Sequence, residues 1–306
     1  MVEGAAAIEV SICIATRGRP AGLETLLSSL VAQRGAPAFE VIVVDNDPAG
    51  SARSVAERFA DRLSLTYDIE PLPGVSTARN HSVALSHAPL LAFIDDDERA
   101  EPSWLAALHA KLAQPDVAAA IGVVRFEFAP DVPAERRDCG LFGTLDFEDG
   151  EALPWWGTWI GNSCLRRAAL PDTSAPFDPA LNLVGGEDSH LFAHMLARGA
   201  RIVAARGAVS YEYRAADRMR LRDILGRALR GGATEIEIEW PGRRLRARIR
   251  FAAESALRCL GNLVLAVLAW FPARRFALQR LVIATGWAGR LGRLAGWRYR
   301  EFGAVR

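Results

Sequence analysis

The most constraining feature of this 306-residue chain is the alternation of short strand-like and helix-like segments over its first hundred residues. Val10–Ala15 (VSICIA) predicts a first strand, and leucines at three- and four-residue spacing within Pro20–Gln33 predict a helix after it. Three more strands are predicted at Phe39–Val44, Leu63–Ile69 and Pro89–Ile94, with helices at Ser51–Phe59 and Thr77–Ser86. This alternation is typical of βαβ units. We therefore expect an α/β fold: a Rossmann-like, mostly parallel twisted sheet flanked by helices.

The charge distribution divides the chain near residue 213. Residues 1–213 carry 17 basic and 29 acidic side chains, whereas residues 214–306 carry 20 basic and 7 acidic ones. The first segment also contains a predicted strand at Trp155–Leu165, a helix at Glu187–Arg198 and a closing strand at Val209–Tyr213. The sequence therefore predicts a catalytic or binding domain at 1–213 and a basic, α-helical C-terminal appendage at 214–306.

The basic C-terminal region favours an anionic partner, either lipid headgroups or nucleic acid. Its uncharged stretch, residues 259–273, is shorter than the roughly 20 residues that a membrane-spanning helix needs. We expect helices lying in a membrane interface, since Trp270, Trp287 and Trp297 occur beside arginines. A helical layer packed on the core is the alternative. Nucleic-acid binding is not expected, because no nucleic-acid-binding motif accompanies the arginines.

The cysteines and the first residues predict the compartment. The four cysteines are scattered without a CxxC pair, which argues against a disulfide framework or a zinc cluster. The first ten residues contain no basic segment and no long apolar run, so we expect no cleaved secretory signal. These features predict a cytoplasmic protein, peripheral at the inner face of the cell membrane.

Polar side chains follow several of the predicted strands. They are Thr16 and Arg17 after the first strand, Asp45, Asn46 and Asp47 after the second, and Asp95, Asp96 and Asp97 after the fourth, with Arg79 and Asn80 in the third helix. Ligands of open α/β sheets bind outside the carboxyl ends of the strands. We therefore expect one shared site at this edge.

The aspartate triplet is the most chemically specific of these groups. Residues i and i+2 of an extended chain lie on the same side, so Asp95 and Asp97 can face one ligand while Asp96 points elsewhere. Paired carboxylates suit a hard divalent cation that also binds water and phosphate oxygens. Each group also has a structural interpretation: an acidic turn for the triplet, an Asx-rich turn for Asp45 to Asp47, and a surface position for Arg79.

Five segments in series resemble the inverting family 2 glycosyltransferases with the GT-A fold. They are VSICIATR (10–17), FEVIVVDND (39–47), PGVSTARN (73–80), LLAFIDDDE (90–98) and GGEDSHLF (185–192). The resemblance covers about residues 8–213, and it implies transfer of a sugar from a nucleotide-sugar donor. The Gln-x-x-Arg-Trp motif of processive members does not occur, so we expect addition of a single sugar.

The resemblance implies a role for each matching residue. Thr16 and Asp45 would contact the base and ribose, Arg79 the base or phosphate end, and Asp95 the ribose, while Asp97 would ligate Mn2+ or Mg2+ on the donor diphosphate. Asp188, which follows Glu187, resembles the catalytic base. Arg17, Asp47, Asn80 and Asp96 complete the expected donor site, and Asp96 is an alternative to Asp95 or Asp97 in one role. A purely structural interpretation of Glu187 and Asp188 is capping of the helix start.

The acceptor side is predicted from aromatic and polar residues. Trp155, Trp156 and Trp159 are candidates for stacking on a sugar ring or an isoprenoid-linked acceptor, although a core role is equally compatible with the sequence. Glu187 and His190 are further candidates. His190 and His194 lack a third ligand for zinc.

The function predicted from sequence is therefore metal-assisted, inverting transfer of one sugar, with a UDP-sugar as the expected donor and a saccharide or lipid-linked acceptor. A nucleotidyltransferase acting on a sugar phosphate is the catalytic alternative, although TRGRP (16–20) is a poor triphosphate-binding loop. A nucleic-acid-binding protein and a membrane-associated scaffold without catalysis are the non-enzymatic alternatives. Assembly of exopolysaccharide or cell-envelope glycan is the context that the resemblance implies.

Overall fold

The structure, a computed structural model, describes residues 7–143, 146–240 and 242–297. Within these residues the chain forms two units. The first comprises residues up to 125 together with 144–182 and 187–212, and the second comprises 126–143, 183–186 and the residues from 213 onwards. The second unit thus includes two segments that the sequence-based division assigns to the first domain.

A single eight-stranded sheet organises the first unit. Its strands are β1 (Val10–Thr16), β2 (Phe39–Asp45), β3 (Leu65–Ile69), β4 (Leu90–Ile94), β5 (Glu98–Ala100), β6 (Val117–Phe128), β7 (Asn162–Arg166) and β8 (Arg201–Arg214). They are ordered β3-β2-β1-β4-β7-β6-β8-β5. The pairs β1–β2, β1–β4 and β2–β3 are parallel, whereas β4–β7, β6–β7 and β5–β8 are antiparallel. The α/β class is confirmed, and these three parallel pairs join strands of the first hundred residues.

The helices begin and end close to the predicted positions in the first hundred residues. They are α1 (Pro20–Val31), α2 (Arg53–Phe59), α3 (Val75–Leu85), α4 (Trp104–Leu112), α5 (Ala134–Arg137), α6 (Glu187–Ala197), α7 (Leu221–Glu239), α8 (Leu245–Ala269) and α9 (Arg274–Leu294). The predicted apolar face of α1 is buried, because Leu23, Leu26, Leu27 and Leu30 pack with β1 in the main core. Burying this stripe orients α1 along the sheet.

The segment Trp155–Leu165 differs from its prediction as one strand. Trp155–Gly157 forms a 3-10 turn, and only Asn162–Arg166 is a strand. Gly157 directly follows Trp156 and Gly161 directly precedes the strand, and glycine weakens extended structure. The hydrophobic run was correctly identified, but its strand is half as long as predicted.

The second unit is built mainly from α7, α8 and α9. Helix α9 packs against both α7 and α8. A Cβ atom at Gly289 would lie 2.0 Å from the backbone oxygen of Leu229, so glycine is needed for the close approach of α7 and α9. The uncharged stretch 259–273 is not one helix, since α8 ends at Ala269 and α9 begins at Arg274.

Helix α8 has an unusual surface for a packed helix. Within the described residues it is the one helix long and apolar enough to cross a membrane by length and composition. Its most apolar 18-residue stretch has a mean hydropathy of 1.5, and 11% of that stretch is buried. The helix begins within the arginine-rich segment, which explains why counting the uncharged residues alone underestimates its length.

Candidate active site

The parallel strands bring the predicted polar groups to one edge of the sheet. Thr16 pairs with Asp45 at the ends of β1 and β2, and β4 lies on the other side of β1. The strand order changes direction between β1 and β4, which is the point where open α/β sheets bind ligands. The groups predicted at the strand ends are therefore neighbours in the fold.

The aspartate triplet alternates as its extended spacing predicts. The side chains of Asp95 and Asp97 are 46% and 17% exposed, whereas that of Asp96 is 6% exposed. Asp96 accepts a hydrogen bond from the Thr16 hydroxyl at 2.8 Å and one from the Arg19 guanidinium at 2.7 Å. Asp96 and Thr16 thus fix the turn from inside, and Asp95 and Asp97 are the carboxylates that face outward.

Two side chains of this edge, Arg19 and Glu98, belong to the polar clusters after the first and fourth predicted strands but were given no role from the sequence. Arg19, just before α1, pairs with Asp96 and also with Asp97. Its Nη1 atom lies 3.2 Å from Asp97 Oδ2. Glu98 is buried, and its burial together with the nearby Asp95 raises its pKa well above the ordinary carboxyl value. The signal for Glu98 was its place directly after the triplet, whereas nothing local distinguished Arg19 from Arg17, and both arginines are exposed.

The loop after β2 is ordered by Asp45. This fully buried carboxylate accepts hydrogen bonds from the backbone amides of Asp47 and Ala52, at 3.1 and 2.8 Å, and from the Tyr67 hydroxyl at 3.0 Å. Asn46 is buried beside it and bonds to the backbone of the segment that leads to α3. Asp47 is partly exposed, and a hydrogen bond from the Ala49 amide lowers its pKa. Direct contact of Asp45 and Asp47 with the donor stays a prediction.

Arg79 connects the end of β4 with the start of α6. Its guanidinium donates to Asp95 at 3.0 Å and to Glu187 in a second, short contact. Asp188 also lies close enough to raise the pKa of Arg79, although burial opposes this as the largest single effect. Asp95 and Glu187 therefore contact one cation, and Asp188 lies in the same neighbourhood. Asn80, by contrast, bonds to the backbone of Phe177 through both ends of its amide.

Glu187 and Asp188 start α6 but have different environments. The Glu187 side chain is 8% exposed, and its burial raises its pKa to about 7, while Arg79 acts in the opposite direction. Asp188 is partly exposed, and its Oδ1 atom accepts from the backbone amide of Ser189 at 2.7 Å. His190 is partly exposed in the same helical turn. Asp188 is thus the more accessible of the two carboxylates.

The predicted aromatic residues fall into two groups. Trp159 packs against a buried core cluster. The turn Trp155–Gly157 packs against α6, and within it Trp156 is 58% exposed beside Phe147, with their ring centroids 5.8 Å apart. Trp156 is therefore the most accessible of the three predicted acceptor aromatics.

The carboxylates of this edge suit a cation that is bound only in part by protein. Asp96 and Asp97 contact the guanidinium of Arg19, and Asp95 and Glu187 contact that of Arg79, so carboxyl groups outnumber guanidiniums at this edge. Within the described residues no three His, Cys, Asp or Glu side chains form a group that could hold a metal ion. A hard cation at Asp97 would need most of its ligands from phosphate and water, which is common for Mg2+.

Comparison with known proteins identifies the family. Residues 11–170 match the profile described as Glycosyl transferase family 2. The chain belongs to this family. It is 30% identical over 296 residues to the succinoglycan biosynthesis protein ExoM of Rhizobium meliloti (strain 1021). This alignment covers 93% of each chain. It is also 30% identical over 227 residues to validoxylamine A glucosyltransferase of Streptomyces hygroscopicus subsp. limoneus, covering 64% of this chain and 50% of that one.

Solved structures with low sequence identity support the GT-A fold of this family 2 glycosyltransferase. The mannosyltransferase PcManGT from Pyrobaculum calidifontis, in complex with GDP-Man and Mn2+, aligns with a TM-score of 0.62 at 19% identity. That alignment covers 92% of this chain and 87% of PcManGT. S. aureus TarS 1–349 in complex with UDP-GlcNAc aligns with a TM-score of 0.54 at 15% identity, over 96% and 93% of the two chains. The expected fold, family and transferase activity are confirmed.

Proposed function

We propose that this enzyme transfers one sugar from a nucleotide-sugar donor, with inversion, to a saccharide or lipid-linked acceptor, and that Asp188 is the general base. The observation that carries the proposal is the arrangement around Arg79, which contacts Asp95 at the end of β4 and has Asp188 of α6 close by. Arg79 thus contacts the donor-facing Asp95 directly and Glu187 at the start of α6, and the accessible Asp188 carboxylate follows Glu187. Direct displacement needs these two functions on the two sides of the anomeric carbon.

The donor site of the proposal lies at the ends of β1, β2 and β4. Asp95 and Asp97 face the ribose and diphosphate, and Thr16 acts through its hydrogen bond to Asp96. Asp47 and Arg17 are the accessible side chains that line the nucleotide end, while Asp45 orders the loop that carries Asp47. In this proposal Asn80 supports α3 through the Phe177 backbone and does not contact the donor.

Asp97 is the residue proposed to hold Mn2+ or Mg2+, with the donor diphosphate and water as its other ligands. When bound, the cation offsets the charge that develops on the leaving nucleoside diphosphate. Arg19, which contacts Asp97, carries positive charge in the same place. The excess of carboxylates described above supports a bound cation here.

On the acceptor side, Asp188 takes the proton of the attacking hydroxyl as the new glycosidic bond forms and the bond to the diphosphate breaks. Trp156 is the aromatic surface proposed for the acceptor, since it is exposed on the turn that packs against α6. No covalent sugar–enzyme intermediate is required. General-base catalysis by such a group contributes about 100- to 10,000-fold to a rate.

One relative supports a polysaccharide context, and one of the two solved structures supports a UDP-sugar donor. ExoM, similar over 93% of both chains, is named for succinoglycan biosynthesis, which favours assembly of exopolysaccharide or cell-envelope glycan. TarS binds UDP-GlcNAc, whereas PcManGT binds GDP-Man, so the base of the donor needs a direct test. Within the sequence the Gln-x-x-Arg-Trp motif is absent, which supports addition of a single sugar.

Membrane association is proposed through one face of α8. Leu257, Leu260, Val264, Val267 and Leu268 fall within about 100° of arc at the α-helical period, and each is between 48% and 72% exposed. The same face carries Arg246 and Arg250 nearer the helix start. A lipid interface accepts both kinds of side chain, because apolar residues enter the acyl boundary while arginines remain at headgroup level. This surface supports a peripheral enzyme at the cytoplasmic face of the membrane.

The donor proposal is tested by thermal melting of the full chain with UDP-, GDP- and TDP-sugars, each with Mn2+ or with EDTA. A ligand that binds only the folded state raises the melting temperature. We expect one donor class to stabilise the parent enzyme with Mn2+, and both EDTA and Asp97→Ala to remove most of this shift. A shift that is equal in EDTA and in Asp97→Ala would contradict the metal assignment.

A further inference from the structure

The contact between Arg79 and Glu187 is buried, although both residues were predicted to face substrates. The side chains of Arg79 and Glu187 are 10% and 8% exposed. The guanidinium of Arg79 also contacts Asp95 at 3.0 Å and the ring of Phe177, whose centroid lies 5.8 Å from the guanidinium carbon. Two of the five N–H donors of this arginine, one on each terminal nitrogen, thus bind carboxylates at the end of β4 and the start of α6.

Burying such a pair is a poor way to gain stability. Desolvation of two charges offsets much of their attraction, and an apolar pair of similar volume often stabilises a fold equally well. What an Arg–carboxylate pair provides is geometry, because the planar guanidinium fixes the direction of each carboxylate that it contacts. The effect to look for is therefore an orientation of the groups that Arg79 touches.

The group oriented in this way is the first turn of α6. Glu187 begins the helix and Asp188 follows it directly, while the two preceding residues are glycines with φ angles of 81° and 85°. Glycine leaves the backbone more freedom than any other residue. An anchor at Glu187 therefore limits where the Asp188 carboxylate can lie relative to Asp95.

We propose that Arg79 and Glu187 form a positioning pair, which fixes the start of α6 so that Asp188 stays in register with the donor-facing Asp95, and that neither side chain contacts a substrate. This proposal rests on the function proposed above. It assigns Glu187 to the support of Asp188. It assigns Arg79 to the support of Asp95 by direct contact and of Asp188 through Glu187. A displacement of about 1 Å in a reacting group can cost on the order of 100-fold in rate.

The experiment compares Glu187→Gln, Arg79→Gln and the double variant with the parent, using steady-state kinetics and thermal melting at pH 8. We expect Glu187→Gln to lower kcat by about 10- to 100-fold, with KM for donor and acceptor within about twofold of the parent. Arg79→Gln should lower both kcat and the melting temperature, since it leaves a buried carboxylate without its cation. The double variant should regain melting temperature but not kcat.

Glu237→Gln is the matched control. Glu237 is also a mostly buried glutamate paired with an arginine, Arg293 at 2.5 Å, but it belongs to the second unit. We expect this variant to keep the parental kcat. A larger loss of kcat in Glu187→Gln is then specific to Glu187 and is not a general effect of neutralising a paired glutamate.

Three outcomes would overturn the proposal. They are a raised acceptor KM with unchanged kcat in Glu187→Gln, a loss of kcat no larger than that of Glu237→Gln, and recovery of kcat together with melting temperature in the double variant. Failure of the positioning pair can be distinguished from failure of the proposed function. If the parent transfers sugar, Asp188→Asn does not, and Glu187→Gln keeps the parental kcat, only the positioning pair is wrong. A parent that transfers no sugar removes both proposals.

Discussion

At the residue scale, Gly161 determines how the Asp95 carboxylate lies. A Cβ atom at Gly161 would be 2.5 Å from Asp95 Oδ2 and 3.1 Å from Glu98 Oε1, so a side chain there must displace the end of Asp95. We expect Gly161→Ala to weaken donor binding several-fold while the chain remains folded, because the displaced atoms belong to a partly exposed side chain. Donor-induced melting shifts measure this effect.

Gly231→Ala is the control for that substitution. Nothing lies within 4 Å of a Cβ atom at Gly231 in α7, and alanine is the better helix former. This variant should bind the donor as the parent does and melt at the same or a higher temperature. Equal donor binding by Gly161→Ala and Gly231→Ala would show that Asp95 has no part in the donor site.

A pH dependence of stability follows from the burial of Glu187. Burial raises the pKa of this carboxyl from its ordinary value of 4.5 to about 7. The folded chain therefore holds a proton between these values that the unfolded chain has released, so this stabilisation is complete below pH 4.5 and is lost as the pH rises through 7. Relative to Glu187→Gln, the parent should lose melting temperature between pH 5 and pH 8. Parallel melting profiles of the two proteins would contradict this environment.

At the element scale, substitutions can distinguish the exposed apolar stripe of α8 from another side of the same helix. Leu257→Glu and Leu268→Glu place charges on the apolar stripe, where both residues are at least 70% exposed, so folding should be retained. We expect each to reduce flotation with liposomes containing anionic lipid, because a charge must then enter the acyl boundary. Leu245→Glu is the control, since Leu245 is 71% exposed but lies about 120° around the helix from Leu257. Equal flotation of all four proteins would exclude this face, and a concentration-dependent dimer of the parent without flotation would assign it to a second copy.

The elements also show what sequence patterns can predict. Strand ends and the α1 face were predictable because burial imposes periods of two and 3.6 residues on the sequence. The orientation of the triplet followed from the same alternation, and Asp96 is indeed the buried member. The side-chain partners of Asp45, Arg79 and Glu187 were not predictable, because each pair joins residues between 16 and 108 positions apart, which only the folded chain brings together.

At the scale of the whole molecule, the uneven charge of the chain does not identify a partner. The acidic first part contains the candidate site. In the basic second part, Arg290 and Arg293 pair with Glu235 and Glu237 and so join α9 to α7. Arg246 and Arg250, by contrast, lie on the exposed face of α8. A net charge therefore does not specify a ligand. The ligand has to be inferred from the positions of individual residues at the sheet edge and on the surface of α8.

The central claim is that carboxylates from β4 and α6 act on the two sides of one bound donor. The most direct test measures sugar transfer by Asp188→Asn under conditions in which donor binding is followed by melting shift. Asp178→Asn is the control, because Asp178 is exposed and asparagine retains its capping role. We predict an unchanged donor-induced shift and a loss of turnover of about 100-fold or more for Asp188→Asn, with parental turnover for Asp178→Asn. Parental turnover in Asp188→Asn would contradict the account.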